Sequence, residues 1–172
     1  MNLGIEELQK KFADVIREVN RGVDCLTIVC GREGFLDFIK YLKEKRGFKY
    51  LIDLCGVDYL DYPYKDWEER FEVVYHLYNF DAKEQVRVKV RIPEEDCWHY
   101  SVVSLWKTAD WFERECYDMY GIVFKGHPNL KRALMPEDWE GHPLRKDYPL
   151  CLEESNEWRV YKELTKKCKG RG

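Results

Sequence analysis

The stretch Phe71-Glu72-Val73-Val74-Tyr75-His76-Leu77-Tyr78-Asn79-Phe80-Asp81-Ala82-Lys83-Glu84-Gln85-Val86-Arg87-Val88-Lys89-Val90-Arg91-Ile92 decides the fold. Phe71, Val73 and Tyr75 alternate with Glu72, Val74 and His76. After a turn around Asp81–Glu84 the alternation becomes strict: Val86, Val88, Val90 and Ile92 face one way, and Arg87, Lys89 and Arg91 the other. A period of two buries one face and wets the other, which predicts an antiparallel hairpin in an open sheet. The basic face is expected to be solvated, or else to meet an acidic partner.

Upstream of the hairpin, the polar run Asp58–Glu69 with Pro63 reads as a loop and Phe48–Val57 as a strand. Phe35, Phe38, Ile39 and Leu42 form the inward stripe of a helix over Glu33–Lys45, stopped by Gly47. Asp24–Cys30 suits a strand. Ile5, Leu8, Phe12, Val15, Ile16 and Val19 recur at steps of three and four, predicting one helix over Ile5–Asn20. Downstream, Leu105, Ala109, Phe112, Cys116 and Met119 mark a third helix that starts at Ser104 or Thr108 and stops at Gly121. The order α-β-α-β-β-β-α predicts a two-layer α+β domain over residues 1–125, with helices packed on a mostly antiparallel sheet.

The next stretch departs from this pattern. Residues 126–150 show neither period and hold four of the six prolines, Pro128, Pro136, Pro143 and Pro149. They also carry Leu130, Leu134, Met135, Trp139, Leu144 and Tyr148. Apolar anchors in extended backbone predict a docking strap laid on another surface, with Leu134, Met135, Trp139 and Tyr148 covered by partners. Residues 151–172 read as a charged tail, weakly helical from Glu153 to Lys169.

Composition narrows the function. In 172 residues, 29 Lys and Arg against 32 Asp and Glu leave a net charge of −3, without the basic field that nucleic-acid binding needs. No apolar run reaches the ~18 residues of a membrane span. The first residues lack a basic-then-apolar leader, which predicts a cytoplasmic chain. The seven cysteines contain no Cys-x-x-Cys, so no zinc or iron–sulfur cradle is signalled.

Two constellations could carry chemistry. Asp110, Arg114 and Asp118 stand at i, i+4 and i+8, beside Glu113 and Glu115; the stripe reads as an ion-pair ladder or interface anchor, or as a carboxylate pair for proton transfer. Gly-His-Pro occurs at Gly126-His127-Pro128 and again at Gly141-His142-Pro143, as two chain-redirecting turns or as histidine ligands short of a full metal set. A stand-alone enzyme would use Glu115 with Asp118, or Cys116 with His127. A regulatory module would bind one peptide-like partner.

The run Trp111-Phe112-Glu113-Arg114-Glu115-Cys116-Tyr117-Asp118-Met119-Tyr120-Gly121-Ile122-Val123-Phe124, then Gly126-His127-Pro128-Asn129-Leu130-Lys131-Arg132-Ala133-Leu134-Met135-Pro136 and Asp138-Trp139-Glu140-Gly141-His142-Pro143-Leu144-Arg145-Lys146-Asp147-Tyr148-Pro149, resembles the 30 kDa subunit of respiratory complex I. The likeness spans Trp106 to Leu150. It implies a non-catalytic assembly subunit of the peripheral arm of an NADH:quinone oxidoreductase, peripheral on the cytoplasmic side of the inner membrane and reaching the membrane only through the complex. It implies packing on the 49 kDa-type subunit and on cluster-bearing subunits. FMN, iron–sulfur clusters, NADH and quinone would sit in those partners, none in this chain, and the complex would couple electron transfer to proton translocation. The resemblance marks Glu113, Arg114, Glu115, Asp118, His127, Lys131 and Arg132 as motif positions and contacts; His142, Arg145, Lys146 and Asp147 continue the same signature. A homologous subunit of a membrane-bound energy-converting hydrogenase, or of a ferredoxin- or quinone-linked complex, is the alternative.

Overall fold

The computed structural model describes residues 4–149. At its centre is the hairpin: β4 (Phe71–Asn79) and β5 (Glu84–Ile92) pair antiparallel from Phe71↔Ile92 to Asn79↔Glu84. Asn79 shapes the turn, its Oδ1 accepting the amides of Asp81 and Ala82 at 3.0 and 3.1 Å. Phe71, Val73, Tyr75 and Leu77 of β4 and Val86, Val88, Val90 and Ile92 of β5 are all fully buried. Hydrophobic burial on that face is the main stabilising term, ~1.5–3 kcal/mol for each large side chain.

The opposite face is not simply wet. Arg87 pairs with Asp24 at 2.5 Å, Lys89 with Glu72 at 2.8 Å and Arg91 with Glu18 at 2.8 Å, so its three cations are matched within the chain. Trp67 lies against Arg91, and Tyr59 Oη donates to Glu72.

Around the hairpin, β1 (Ile16–Arg21), β2 (Leu26–Cys30) and β3 (Tyr50–Asp58) complete a five-stranded sheet of order β1-β2-β5-β4-β3. All neighbours are antiparallel except β2 and β5, whose parallel register runs Leu26↔Val86 to Cys30↔Val90. The α+β class and the mostly antiparallel sheet are as the sequence predicts. Helix α2 (Phe35–Lys45) buries Phe35, Phe38, Ile39 and Leu42 against the sheet. Helix α3 (Ala109–Tyr120) lies along the edge strand β3, with Cys116 Sγ 4.0 Å from the Leu54 carbonyl and the Tyr120 ring over Gly56. Covering an edge strand this way removes a template for unwanted pairing.

Two local expectations change. The helix predicted over Ile5–Asn20 is α1 (Ile5–Lys11) alone; a turn at Phe12–Val15 follows, and Ile16–Arg21 is strand β1. Ile5, Leu8 and Phe12 keep the helical spacing, but Val15, Ile16 and Val19 are β-branched, and β2 offers them a ladder. Gly22 therefore turns a hairpin, its amide bonded to the Cys25 carbonyl at 3.1 Å, rather than ending a helix. A second small sheet, β6 (Trp98–Tyr100) with β7 (Val123–Lys125), has no signature in the sequence, because three residues are too few to show a period. The tail 151–172 and its predicted weak helix lie outside the described residues.

Candidate functional site

Residues 126–149 contain no helix or strand, as their prolines predict, yet they are fixed along α3 by side chains. The Asp110–Arg114–Asp118 stripe forms the rail. Instead of pairing with one another along the helix, all three reach the strap.

At the first turn of α3, His127 Nδ1 accepts the Asn129 amide at 3.0 Å. The ring proton therefore sits on Nε2, which donates to the Asp110 carbonyl at 3.2 Å and lies 3.6 Å from its carboxylate. One turn on, Arg114 donates to the carbonyls of Lys131 and Arg132 at 3.1 and 2.9 Å, while its guanidinium stacks on Trp111. At the last turn Asp118, fully buried, receives Arg132 Nη1 at 2.6 Å. Its second oxygen accepts the amides of Ala133, Leu134 and Met135 at 3.0, 2.8 and 2.8 Å. Burial pushes this carboxyl up, but the Met135 amide, Arg132 and the other two amides outweigh it and hold the group below the usual carboxylate range. Arg132 also donates to the carbonyls of Trp139 and Gly141 at 2.8 and 3.1 Å, fastening the chain where it leaves the Pro136 turn.

The end of α3 gives the strap its second hold. A helix leaves its last carbonyls without intrahelical partners, and here the strap supplies them. His142 Nδ1 donates to the Asp118 carbonyl at 3.0 Å, the Leu144 amide to Met119 at 3.1 Å and Arg145 Nε to Tyr120 at 2.7 Å. Gly121 ends the helix at φ 77°, and a Cβ there would stand 2.6 Å from His142 Nε2.

A third hold lies outside the sequence motif. Asp58, at the end of β3, accepts Arg70 Nη2 at 2.8 Å, Arg70 Nε at 3.1 Å and the Lys146 amide at 2.9 Å. Arg70, only 7% exposed, also binds Asp147 at 2.6 Å and Glu94 at 2.6 Å. The paired carboxylates, Asp58 first and Asp147 next, raise the Arg70 pKa and keep it charged. No local periodicity singles out Asp58 or Arg70. A charged residue at the mouth of each of two adjacent strands was the available signal.

The remaining predicted residues divide clearly. Met135, Trp139 and Tyr148 are half-buried against their own chain, Tyr148 over Gly141, so part of the shelter expected from partners is internal. Leu134 is 66% exposed, and Trp111 on α3 is 64% exposed. Leu144 also faces outward. Glu115, Lys131, Lys146 and Asp147 are at the surface, and Glu113 is buried beneath α3. The enzyme constellations do not assemble: Asp118 is saturated by Arg132 and three amides, while Cys116 faces Leu54 and His127 faces Asp110. Burial raises the Cys116 thiol well above its ordinary value. Among the described residues no group of three or more His, Cys, Asp or Glu could hold a metal ion. Both Gly-His-Pro segments are turns, with φ 89° at Gly126 and 83° at Gly141.

Residues 28–154 match the sequence family described as the respiratory-chain NADH dehydrogenase 30 Kd subunit. The chain is 43% identical over 149 residues to an NADH-quinone oxidoreductase subunit from Citrifermentans bemidjiense, covering 87% of this chain and 89% of that one. It is 44% identical over 149 residues to the protein of the same name from Moorella thermoacetica, covering 87% and 95%. Among solved structures, a trypsin-resistant fragment of Nqo5 superposes with a TM-score of 0.65 at 37% identity, covering 73% of this chain and 96% of the fragment. A chain of the membrane-bound sulfane sulfur reductase, an archaeal respiratory membrane complex, shares the fold with a TM-score of 0.69 at 23% identity, covering 95% and 89%.

Proposed function

The chain belongs to the respiratory-chain NADH dehydrogenase 30 kDa subunit family, and from that premise we propose that it is a non-catalytic assembly subunit of the peripheral arm of an NADH:quinone oxidoreductase. The observation that carries this reading is the strap. The motif residues Arg114, Asp118 and Arg132 are used on the chain's own backbone, while Trp111, Leu134 and Leu144 are turned outward. Apolar side chains held on a fixed scaffold form a docking surface at low entropic cost. They do not form an open cleft with a poised acid or nucleophile.

In this reading the docked partners are the 49 kDa-type subunit and the cluster-bearing subunits. FMN, the iron–sulfur clusters, NADH and quinone belong to those partners, and proton translocation is coupled elsewhere in the complex. The chain attaches through these partners on the cytoplasmic face; among the described residues no helix is long and apolar enough to cross a membrane.

The test is to tag the full chain in its native host and identify what co-purifies from detergent-solubilised membranes. Flavin- and NADH-binding subunits are expected. A nickel-bearing hydrogenase partner, or turnover by the purified chain alone that Glu115→Gln abolishes, would overturn the proposal.

A further inference from the structure

Beneath α3, away from the strap, three fully buried polar side chains from three elements meet: Tyr75 in the middle of β4, His99 in the middle of β6 and Glu113 in the second turn of α3. Phe35 of α2 packs against two of them, its ring centroid 5.1 Å from Tyr75 and 4.4 Å from His99; the Tyr75 and His99 rings are 6.1 Å apart. Glu113 lies close enough for its charge to raise the Tyr75 phenol. Through Oε1 it accepts the Val102 amide at 2.6 Å, with Ser101 as a further side-chain partner. Its other oxygen, Tyr75 Oη and both ring nitrogens of His99 find no hydrogen-bond partner among the described residues.

Native interiors satisfy nearly all such atoms, so four orphaned ones on three fully buried side chains mark a site and not a random defect. We propose that Tyr75, His99 and Glu113 form a buried proton-holding site, bridged by ordered water, between the sheet and α3. Protonated Glu113 donates from Oε2 to water, the water donates to the bare nitrogen of neutral His99, and the Tyr75 hydroxyl serves as both donor and acceptor. A buried water makes about three such bonds.

The surroundings favour the neutral acid. From α3, Asp110 and Cys116 face Glu113; β4 supplies Tyr75, β6 supplies His99, the following loop Ser101, and α2 only Phe35. None of these is a cation. Arg32 acts on His99, which burial and that charge hold neutral, with a pKa near 3. Burial, assisted by Asp110, pushes Glu113 up to about 7. A folded-state pKa above the ordinary value of 4.5 makes the protonated form the stabilising one. Its contribution is complete below pH 4.5 and is lost as pH rises through about 7. Through the Val102 contact Glu113 holds the loop entering α3.

The experiment is a carboxyl 13C NMR titration of the full chain, with thermal midpoints from pH 5 to 8.5 for wild type, Glu113→Gln and the exposed control Glu115→Gln. Glu113 is expected to titrate above pH 6, with water cross-peaks at the His99 ring. The wild-type and Glu115→Gln midpoints should fall with rising pH, and the Glu113→Gln profile should be flatter. Titration of Glu113 near 4.5, or absence of water at His99, overturns the proposal. So does a Glu113→Gln variant that keeps the wild-type slope; if that variant does not fold, the wild-type titration decides alone. None of these readouts depends on docking.

Discussion

Asp118 shows how one residue can set the course of a long irregular segment. Fully buried, it holds Arg132 and three successive backbone amides, so its removal orphans a cation and three donors together. Removing one partner of a buried charge pair costs ~3–5 kcal/mol. Asp118→Ala should therefore lower stability by about that amount, and hydrogen exchange should accelerate first at Ala133–Met135. The pH dependence follows from its lowered pKa. A carboxylate depressed below its ordinary 3.8 contributes stability that is complete above that value and is lost as pH falls through the folded pKa. Strap protection, read by proteolysis of the full chain, should accordingly hold at neutral pH and weaken only as pH falls below 3.8. Glu113 carries the opposite sign, so the strap and the interior should respond to pH in opposite directions.

At the scale of elements, the hairpin is legible because β5 lies at the centre of the sheet. With neighbours on both sides and its apolar face against the core, its side chains alternate without exception. Leu77→Ala on β4 should cost ~3 kcal/mol in denaturant unfolding, since the site is fully buried and cannot collapse freely. The first helix ends earlier than its spacing predicts because Val15, Ile16 and Val19 fit a helical stripe as well as a strand, and the choice rests on pairing with β2. Helix α3 is legible in its buried stripe and its Gly121 stop, but the destination of its charged stripe is not. Spacing allows an ion-pair ladder; only the strap's backbone, returning over the helix, turns Asp110, Arg114 and Asp118 into anchors. Gly121→Ala tests this joint. A side chain there meets His142 and Arg145 and must adopt positive φ, so the strap's 142–145 segment should lose exchange protection while the sheet keeps its own.

At the scale of the whole molecule, the fold is a sheet with helices on it and a strap carried in a set position, with Trp111 of α3 and Leu134 and Leu144 of the strap exposed. Leu134→Lys combined with Leu144→Lys should leave the thermal midpoint of the isolated chain nearly unchanged, because exposed substitutions shift stability by only ~0.5 kcal/mol. The same double variant should reduce recovery of partner subunits from solubilised membranes. Unchanged recovery would place the docking surface elsewhere on the chain.

The sequence by itself determined the α+β class, the central hairpin, the buried stripes of α2 and α3, the irregular strap and, through its motif, the family. These are local patterns, and period, proline content and residue order express them directly. Only the tertiary structure decided that Ile16 and Val19 enter the sheet, that β2 runs parallel to β5, and that Asp58 and Arg70 hold the strap beside Asp118. It also brought Tyr75 and His99 against Phe35, and Glu113 near Tyr75. Each of these joins residues distant along the chain, and such contacts are set by which backbone groups and charges are left without local partners once the local elements have formed.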